Sequence, residues 1–290
     1  MRKTLMLCDS CCDLSLEQER KYGVRIVNCG VEMNGIPYED RVEINCETIY
    51  AEVERTNTLP HTSQVTVIQF MEEFLRAAKE GYTDVICVTM NAKGSGTYSA
   101  AKHAVELLPS EYPALEGKLH IRVIDSTTYS YVIAMPILLG LERLKKGDDP
   151  DAVANDMQDW YNNSITLVGL YNLQYAKRSG RLNACAAFVG DILGVKPIMS
   201  ISGENKVLEK TRGDKTLVPK MAQLYVNMAE DIKGDYIIAY GNNPEQAKEL
   251  AAAIKKLGGK APYLMGPIGP CVAINAGPKM LGLGFRKKAE

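Results

Sequence analysis

The segment DVICVTMNAKGSGTYSAAKHAVELL, residues 84–108, contains the pattern that decides the fold. Its first part, 84–90, is apolar and rich in β-branched residues, which is typical of a buried strand. Its last part, 100–108, is predicted to be a helix. A Gly-Ser-Gly-Thr loop at 94–97 therefore joins a strand to a helix. Such a loop favours an anion, because backbone N–H groups at a helix N-terminus have no partner within the helix.

Strands and helices alternate along the first half of the chain. Strands are predicted at 4–7, at 24–33 with a kink at Gly30, at 84–89 and at 118–125. Helices are predicted at 14–22, 45–55, 66–79 and 97–108, and one more ends near Lys146. Ser15 and Gln18 fit a capping box for the first of these helices, and Asn45 is a candidate cap for the second. This alternation predicts a parallel, doubly wound sheet.

The stretch KGDDP, residues 146–150, is the best candidate for a domain boundary, because Asp149-Pro150 is a typical helix start. Beyond it, strands are predicted at 165–170, 195–201, 206–210, 235–240 and 261–265, and helices at 150–162, 216–232 and 245–257. Residues 176–182 are predicted to be a basic loop, and 267–278 strand and loop. We therefore predict an α/β fold of two domains: residues 1–150 with the parallel doubly wound sheet, and residues 151–290 with a mixed sheet.

Composition excludes several classes of protein. The 290 residues are 46% hydrophobic and 24% charged, which is ordinary for a globular protein, and the net charge of −1 gives no reason to expect a nucleic-acid partner. The apolar run at 131–141 is too short to span a membrane and contains Pro136. Asp9 ends the first apolar run early, so no signal peptide is expected and the chain is predicted to be cytoplasmic.

The eight cysteines do not form paired metal-binding knuckles. Cys8, Cys11 and Cys12 lie together, whereas the others are scattered singly along the chain. We therefore expect reduced, structural cysteines and no metal or other cofactor; metal or redox use is the alternative.

Four polar segments are predicted at the strand ends where ligands of parallel sheets bind: 9–13, 60–66, 91–97 and 125–128. A nucleotide is a poor match for the Gly-Ser-Gly-Thr loop. Lys93 precedes the glycines of a would-be Walker loop, and Ser99 stands where a dinucleotide-binding motif needs its third glycine. The simplest alternative is a tight turn with a Ser or Thr helix cap.

A serine hydrolase is also a poor match. His103 and His120 fall inside a predicted helix and a predicted strand. His61 directly precedes Thr62 and Ser63, and adjacent residues rarely point at one another as base and nucleophile. The chain has no GxSxG motif.

Seven short segments resemble, in the same order, the DegV family of bacterial fatty-acid-binding proteins. They are DSCCDL (9–14), TSQ (62–64), SGTY (95–98), VIDS (123–126), SGRL (179–182), VKPI (195–198) and GPKMLGLGF (277–285). The resemblance implies two α/β domains with an acyl chain in a tunnel between them. It also implies that hydroxyls of the TSQ and SGTY segments hold the carboxylate, and Thr62 and Ser95 match those positions. The other candidate binding residues in these segments are Ser63, Gly94, Gly96 and Thr97.

One family position differs in this chain. Counting back from Gly277-Pro278, the histidine that helps to hold the carboxylate in the family is replaced by Asn275. An asparagine can donate an amide N–H but cannot become cationic. Lys93 could supply a positive charge, but a loop lysine is expected to face solvent.

Candidate tunnel residues lie at 165–170, 186–193 and 237–240, with Met199 and Met265 in addition. The basic segment around Lys177, Arg178 and Arg181 is a candidate docking surface for a protein partner. The alternative is a solvated loop, or a loop packed at the domain junction.

The resemblance also implies a role, because family members of known function present a fatty acid to a separate kinase that phosphorylates it with ATP. We therefore expect a fatty-acid-binding carrier that is not an enzyme, with a long-chain fatty acid and a kinase subunit as partners and at most transient membrane contact. Two alternatives stay open: a small-molecule enzyme acting on another acid or a phosphorylated metabolite, and a binding protein for a different lipid. The sequence does not specify the length or saturation of the chain, or the oligomeric state.

Overall fold

The computed structural model describes residues 2–180 and 194–289. Its first sheet contains four strands, namely β1 (Thr4–Asp9), β2 (Arg25–Val27), β6 (Asp84–Thr89) and β7 (His120–Asp125). They lie in the order β2-β1-β6-β7, and every pairing is parallel. The chain therefore moves outward in opposite directions from β1 and β6, and the loops that follow these two strands flank the crevice where such sheets bind ligands. The predicted parallel sheet is confirmed.

A small antiparallel sheet corrects two predictions. It contains β3 (Gly30–Met33), β4 (Ile36–Glu39) and β5 (His61–Ser63), in the order β4-β3-β5. The single strand predicted over 24–33 is wrong, because β2 ends at Val27 and the chain enters this second sheet at Gly30. The segment 60–66 does not follow a parallel strand; residues 61–63 form an edge strand paired with β3.

The second half of the chain forms the predicted mixed sheet. Its strands are β8 (Ser164–Leu170), β9 (Val195–Ser202), β10 (Glu204–Arg212), β11 (Tyr236–Tyr240), β12 (Leu264–Pro267) and β13 (Met280–Arg286). They lie in the order β10-β9-β8-β13-β11-β12. Only the β11–β12 pair is parallel among these pairings, and the others are antiparallel.

Ten α-helices lie within the described residues: α1 (Leu16–Tyr22), α2 (Cys46–Thr56), α3 (Val67–Lys79), α4 (Thr97–Glu111), α5 (Tyr131–Lys145), α6 (Pro150–Asn162), α7 (Gln174–Ser179), α8 (Asp214–Met228), α9 (Pro244–Lys256) and α10 (Pro270–Ala276). Ser15 forms the predicted capping box with Gln18, and Asn45 and Asp149 cap α2 and α6. No helix in this part of the chain is long and apolar enough to cross a bilayer.

Two of these helices correct the sequence predictions. Residues 176–179, expected in a basic loop, belong to α7, and residues 270–276, expected as strand and loop, form α10. Pro270 is the first residue of α10, where its fixed φ favours a helix start.

The buried residues show how the two large sheets are joined. One apolar cluster runs from the parallel sheet through α5 to one face of the mixed sheet, where it includes Val168, Ile201 and Ala239. The opposite face of the mixed sheet packs against α8 and α9 in a second cluster. A Cβ on Gly284 of β13 would lie 2.4 Å from Val132 of α5, so this glycine allows the helix to approach the sheet. The division at residue 150 stays a prediction.

Candidate ligand-binding site

A cavity of about 390 Å³ lies between the carboxyl edge of the parallel sheet and the inner face of the mixed sheet. Cys11 and Met90, from the segments that follow β1 and β6, line one side. Val168, Ala239 and Gly282, on three strands of the mixed sheet, line the other. The volume falls in the range of about 300–1,000 Å³ that is usual for small-molecule sites.

Six of the seven predicted binding residues line this one cavity: Thr62, Ser63, Gly94, Ser95, Gly96 and Asn275. They come from the edge strand β5, from the loop before α4 and from α10. Thr97 is the exception, because it is fully buried in the first turn of α4 and is not part of the wall. The structure thus brings together residues that are more than 200 positions apart in the sequence.

Thr97 instead contacts the wall residue Ser95. The two hydroxyl oxygens are 2.9 Å apart, and the Thr97 N–H donates to the Ser95 oxygen at 3.3 Å. A serine hydroxyl accepts two hydrogen bonds and donates one. When both Thr97 groups donate to Ser95, the Ser95 proton is left to donate to a ligand. Thr97 is therefore placed to orient Ser95 rather than to touch a ligand.

The two glycines beside Ser95 allow close packing around the loop. A Cβ on Gly94 would lie 1.9 Å from the hydroxyl oxygen of Tyr129, and one on Gly96 would lie 2.0 Å from the amide oxygen of Gln64. The loop is thus held between the segment after β7 and the segment after β5. Tyr129 and Gln64 also line the cavity, and sequence reasoning missed both.

Asn275 reaches the cavity from α10. Its side-chain amide donates to the carbonyl oxygen of Cys271, one turn earlier, at 2.8 Å. An amide carries two N–H donors, so this bond leaves one of them for another acceptor. Ser130 is a further polar wall residue that sequence reasoning missed. Its φ of 63° is unusual for a non-glycine residue, and its N–H donates to the Cys11 carbonyl at 2.7 Å.

The cavity wall contains no lysine, arginine or histidine among the described residues. Lys93 faces solvent, as expected, with its ammonium 2.9 Å from Glu204. Behind the wall, Asp9 accepts the N–H groups of Met90 and Cys11 at 2.6 and 3.0 Å. Burial nevertheless raises the pKa of Asp9 well above its usual range. A neutral Asp9 would not repel an anion in the cavity.

The cavity wall contains some of the candidate tunnel residues and leaves out others. From the predicted ranges, Thr166, Val168 and Ala239 line the cavity. The prediction for Met265 is wrong, because this residue lies on β12 with 39% of its surface exposed. The prediction for Met199 is also wrong, because this residue is buried in the core and is not part of the wall. Residues 186–193 lie outside the described residues. The apolar wall residues that the prediction missed include Met90, Val132, Ile201, Val272, Ala276 and Met280.

The candidate docking residues lie away from this wall. Lys177 and Arg178 are exposed on α7. Arg178 donates to the side-chain oxygen of Asn57 at 3.1 Å and also to its carbonyl, at the C-terminal end of α2. Arg178 therefore helps to satisfy a helix end, which is a structural role. Arg181 lies outside the described residues.

A family model described as an uncharacterised protein of the DegV family matches residues 3–288. A DegV domain-containing protein of Clostridium perfringens is 26% identical over 289 residues, covering 98% of this chain and 99% of that protein. A second one from the same species is 29% identical over 288 residues, with the same coverage.

Solved structures show the same architecture. A stearic-acid-binding protein of Eubacterium ventriosum has a TM-score of 0.85 at 25% identity, covering 99% of both chains. A fatty-acid-binding DegV family protein of Thermus thermophilus has a TM-score of 0.88 at 24% identity, covering 99% of this chain and 100% of that one. The second likeness is evidence for the fold alone.

Proposed function

The chain belongs to the DegV family, and on this premise we propose that it binds a long-chain fatty acid in the cavity between the two large sheets. The observation that carries the proposal is the composition of the wall. Neutral donors, among them Thr62, Ser95 and Asn275, share one cavity with the apolar side chains of β8, β11 and β13. This combination suits a ligand with one small polar head and a long apolar tail.

The tail supplies most of the affinity in this proposal. Burying a methylene stabilises a complex by roughly 0.8 kcal/mol, so about fifteen carbons contribute roughly 12 kcal/mol before association and ordering costs. Each hydrogen bond to the carboxylate contributes about 1.5–3 kcal/mol. The polar residues therefore set the position of the head more than they set the total affinity.

Ser95→Ala is expected to weaken fatty-acid binding about 10- to 150-fold, because it removes the donor that Thr97 orients. The test is calorimetric titration of the delipidated protein with palmitate, and Ser99→Ala, at an exposed position on α4, is the matched control. Ser95→Ala should weaken binding of the methyl ester of the same acid much less, because the ester carries no charged oxygen. Equal losses for acid and ester would contradict a head-group role for Ser95.

Asn275→His is expected to make binding depend on pH. An imidazolium, present below a pKa of about 6.5, would add a charge-assisted bond to the carboxylate. Affinity of the variant, relative to the native protein, should therefore be about 5- to 10-fold higher at about pH 6 than at about pH 8. Dissociation constants at both pH values, with Asn275→Gln as control, measure this. If the ratio of the variant's affinity to that of the native protein did not change with pH, residue 275 would not face the head group.

We propose further that the protein is a cytoplasmic carrier, not an enzyme, and that it presents the carboxylate to a partner fatty acid kinase. Support comes from the resemblance to carriers of this family and from a wall in which the described residues offer donors but no base–nucleophile pair. Reconstitution with a bacterial fatty acid kinase, ATP and palmitate tests the role. Formation of acyl phosphate that depends on this protein is expected. Binding of the acid without any stimulation of the kinase would remove the carrier role and leave lipid binding intact.

A further inference from the structure

Three cysteine thiols meet in the wall of the cavity. The sulfurs of Cys11, Cys29 and Cys271 all lie within 4.8 Å of one another. The Cys11 sulfur is 3.3 Å from that of Cys271 and 4.0 Å from that of Cys29. All three residues are buried and none forms a disulfide. They come from the 3-10 turn after β1, from the residue before β3 and from α10, so the fold alone brings them together.

We propose that this cysteine trio is a binding site for a thiophilic divalent metal ion of the Zn²⁺ type. Zinc binds thiolate sulfur at about 2.3 Å, so three ligand sulfurs at tetrahedral or trigonal angles lie about 3.8–4.0 Å apart. The observed separations, from 3.3 Å to at most 4.8 Å, bracket that value. Soft thiolate ligands select such ions over Mg²⁺ or Ca²⁺.

A hydrogen-bonded chain holds the three backbone segments together. The Cys29 N–H donates to the Ser10 hydroxyl at 3.0 Å, and Ser10 donates to the Asp40 carboxylate at 2.6 Å. The other Asp40 oxygen accepts the N–H of Cys271 at 3.2 Å. Because Ser10 directly precedes Cys11, this chain links all three thiol-bearing segments. These bonds fix the backbone beside the three sulfurs, so the fold holds the trio in place before any ligand binds.

The ligand form of a cysteine is the thiolate, so a cation that binds the trio would displace the protons of the three thiols.

Three protein ligands leave one position of a tetrahedral ion open. All three cysteines line the cavity, so the open position is directed toward it and can hold a water molecule. A disulfide between Cys11 and Cys271 would use only two of the thiols and would leave the third without a role. The metal accounts for all three.

Cobalt titration of the reduced, delipidated full-length protein tests the site. Binding of about one Co²⁺ per chain is expected, with a thiolate-to-cobalt charge-transfer band in the near ultraviolet that Zn²⁺ abolishes by displacement. Cys29→Ala and Cys271→Ala should each lower the intensity of the band, because one Co–S bond is lost, and weaken Zn²⁺ binding at least 10-fold, measured against a chromophoric chelator. Cys87→Ala, which removes a buried cysteine outside the trio, should retain both.

Circular dichroism of every variant checks that it is folded, and Cys29→Ser and Cys271→Ser repeat the test with the smallest change of shape. The measurement uses no fatty acid, so its outcome is separate from that of the proposed function. Absence of a thiolate band in the native protein, or a band of unchanged intensity in the trio variants, would overturn the proposal. A Cys11–Cys271 disulfide found by mass spectrometry, together with no metal binding after reduction, would assign the thiols to redox chemistry instead.

Discussion

Replacing Ala239 with phenylalanine is expected to lower the affinity for a long-chain fatty acid by about a thousandfold. Ala239 is 2% exposed on β11 and lines the cavity. Its register partner on the neighbouring strand β13 is Gly282, which lines the same wall. A phenyl ring there would fill the space of about five methylenes. At roughly 0.8 kcal/mol each, the loss is about 4 kcal/mol, which corresponds to roughly a thousandfold change in the dissociation constant.

The matched control is Ala252→Phe, which adds the same ring at an exposed position on α9 and should leave affinity unchanged. Calorimetric titration of both variants with palmitate gives the comparison. Because the ring enters an existing cavity, the thermal stability of the unliganded Ala239→Phe protein should fall little. Unchanged affinity in a folded Ala239→Phe protein would mean that the acyl chain lies elsewhere.

Asp84→Asn is expected to destabilise the protein by about 2 kcal/mol at neutral pH. Asp84 is fully buried at the start of β6, where it accepts Arg2 Nε at 3.0 Å and the Thr83 hydroxyl at 2.8 Å. Arg122 lies 3.5 Å away. An amide at this position loses the charge-assisted hydrogen bonds, which contribute about 1.5–3 kcal/mol, while Arg2 keeps its ion pairs with Asp149 and Asp151. Asp151→Asn, at the exposed end of the same network, should cost less than about 1 kcal/mol.

The effect of Asp84→Asn should also depend on pH. Burial opposes ionisation of Asp84, but the hydrogen bonds from Arg2 and Thr83 hold its pKa below the usual value. Such a group stabilises the folded state above its unfolded pKa of about 3.9 and loses this contribution as the pH falls through the folded value. The difference between native and variant unfolding free energies in urea should therefore shrink below about pH 4. A difference that stays constant from pH 7 to pH 3 would contradict the ion pair.

Affinity gives a second check on Asp84. The residue lies at the amino end of β6, and the cavity lies beyond the carboxyl end of the same strand. The folded Asp84→Asn protein should therefore bind palmitate as the native protein does. Ala239→Phe is thus expected to change binding with little effect on stability, and Asp84→Asn to change stability without an effect on binding.

Local signals in the sequence predicted most of the elements correctly. Ser15 with Gln18, Asn45, and Asp149 before Pro150 all cap helices as expected, because these side chains satisfy N–H groups that a helix leaves open. Helix α10 was missed although Pro270 and the preceding glycine are a valid start signal. The density of Gly and Pro around it favoured a loop. A helix of seven residues is too short for its hydrophobic periodicity to be recognised between such residues.

Part of the candidate site could also be predicted from the sequence. The loops that carry hydroxyl side chains could be recognised, because parallel strands place their carboxyl ends at one edge of the sheet. The β5 segment was predicted as a loop at the end of a parallel strand, since three residues carry too little pattern to distinguish a loop from an edge strand. The cysteine trio could not be predicted. Cys11 and Cys271 are separated by 260 positions, so no spacing motif connects them.

Native mass spectrometry of the purified protein, followed by extraction and identification of bound lipid, shows directly whether the cavity holds a fatty acid. About one long-chain fatty acid per chain is expected in the native protein and none in Ala239→Phe. The same extraction gives the length and saturation of the acyl chain. A protein that carries no lipid and takes up no added fatty acid would rule out the proposed ligand and point to a different one for the cavity at Ser95 and Asn275.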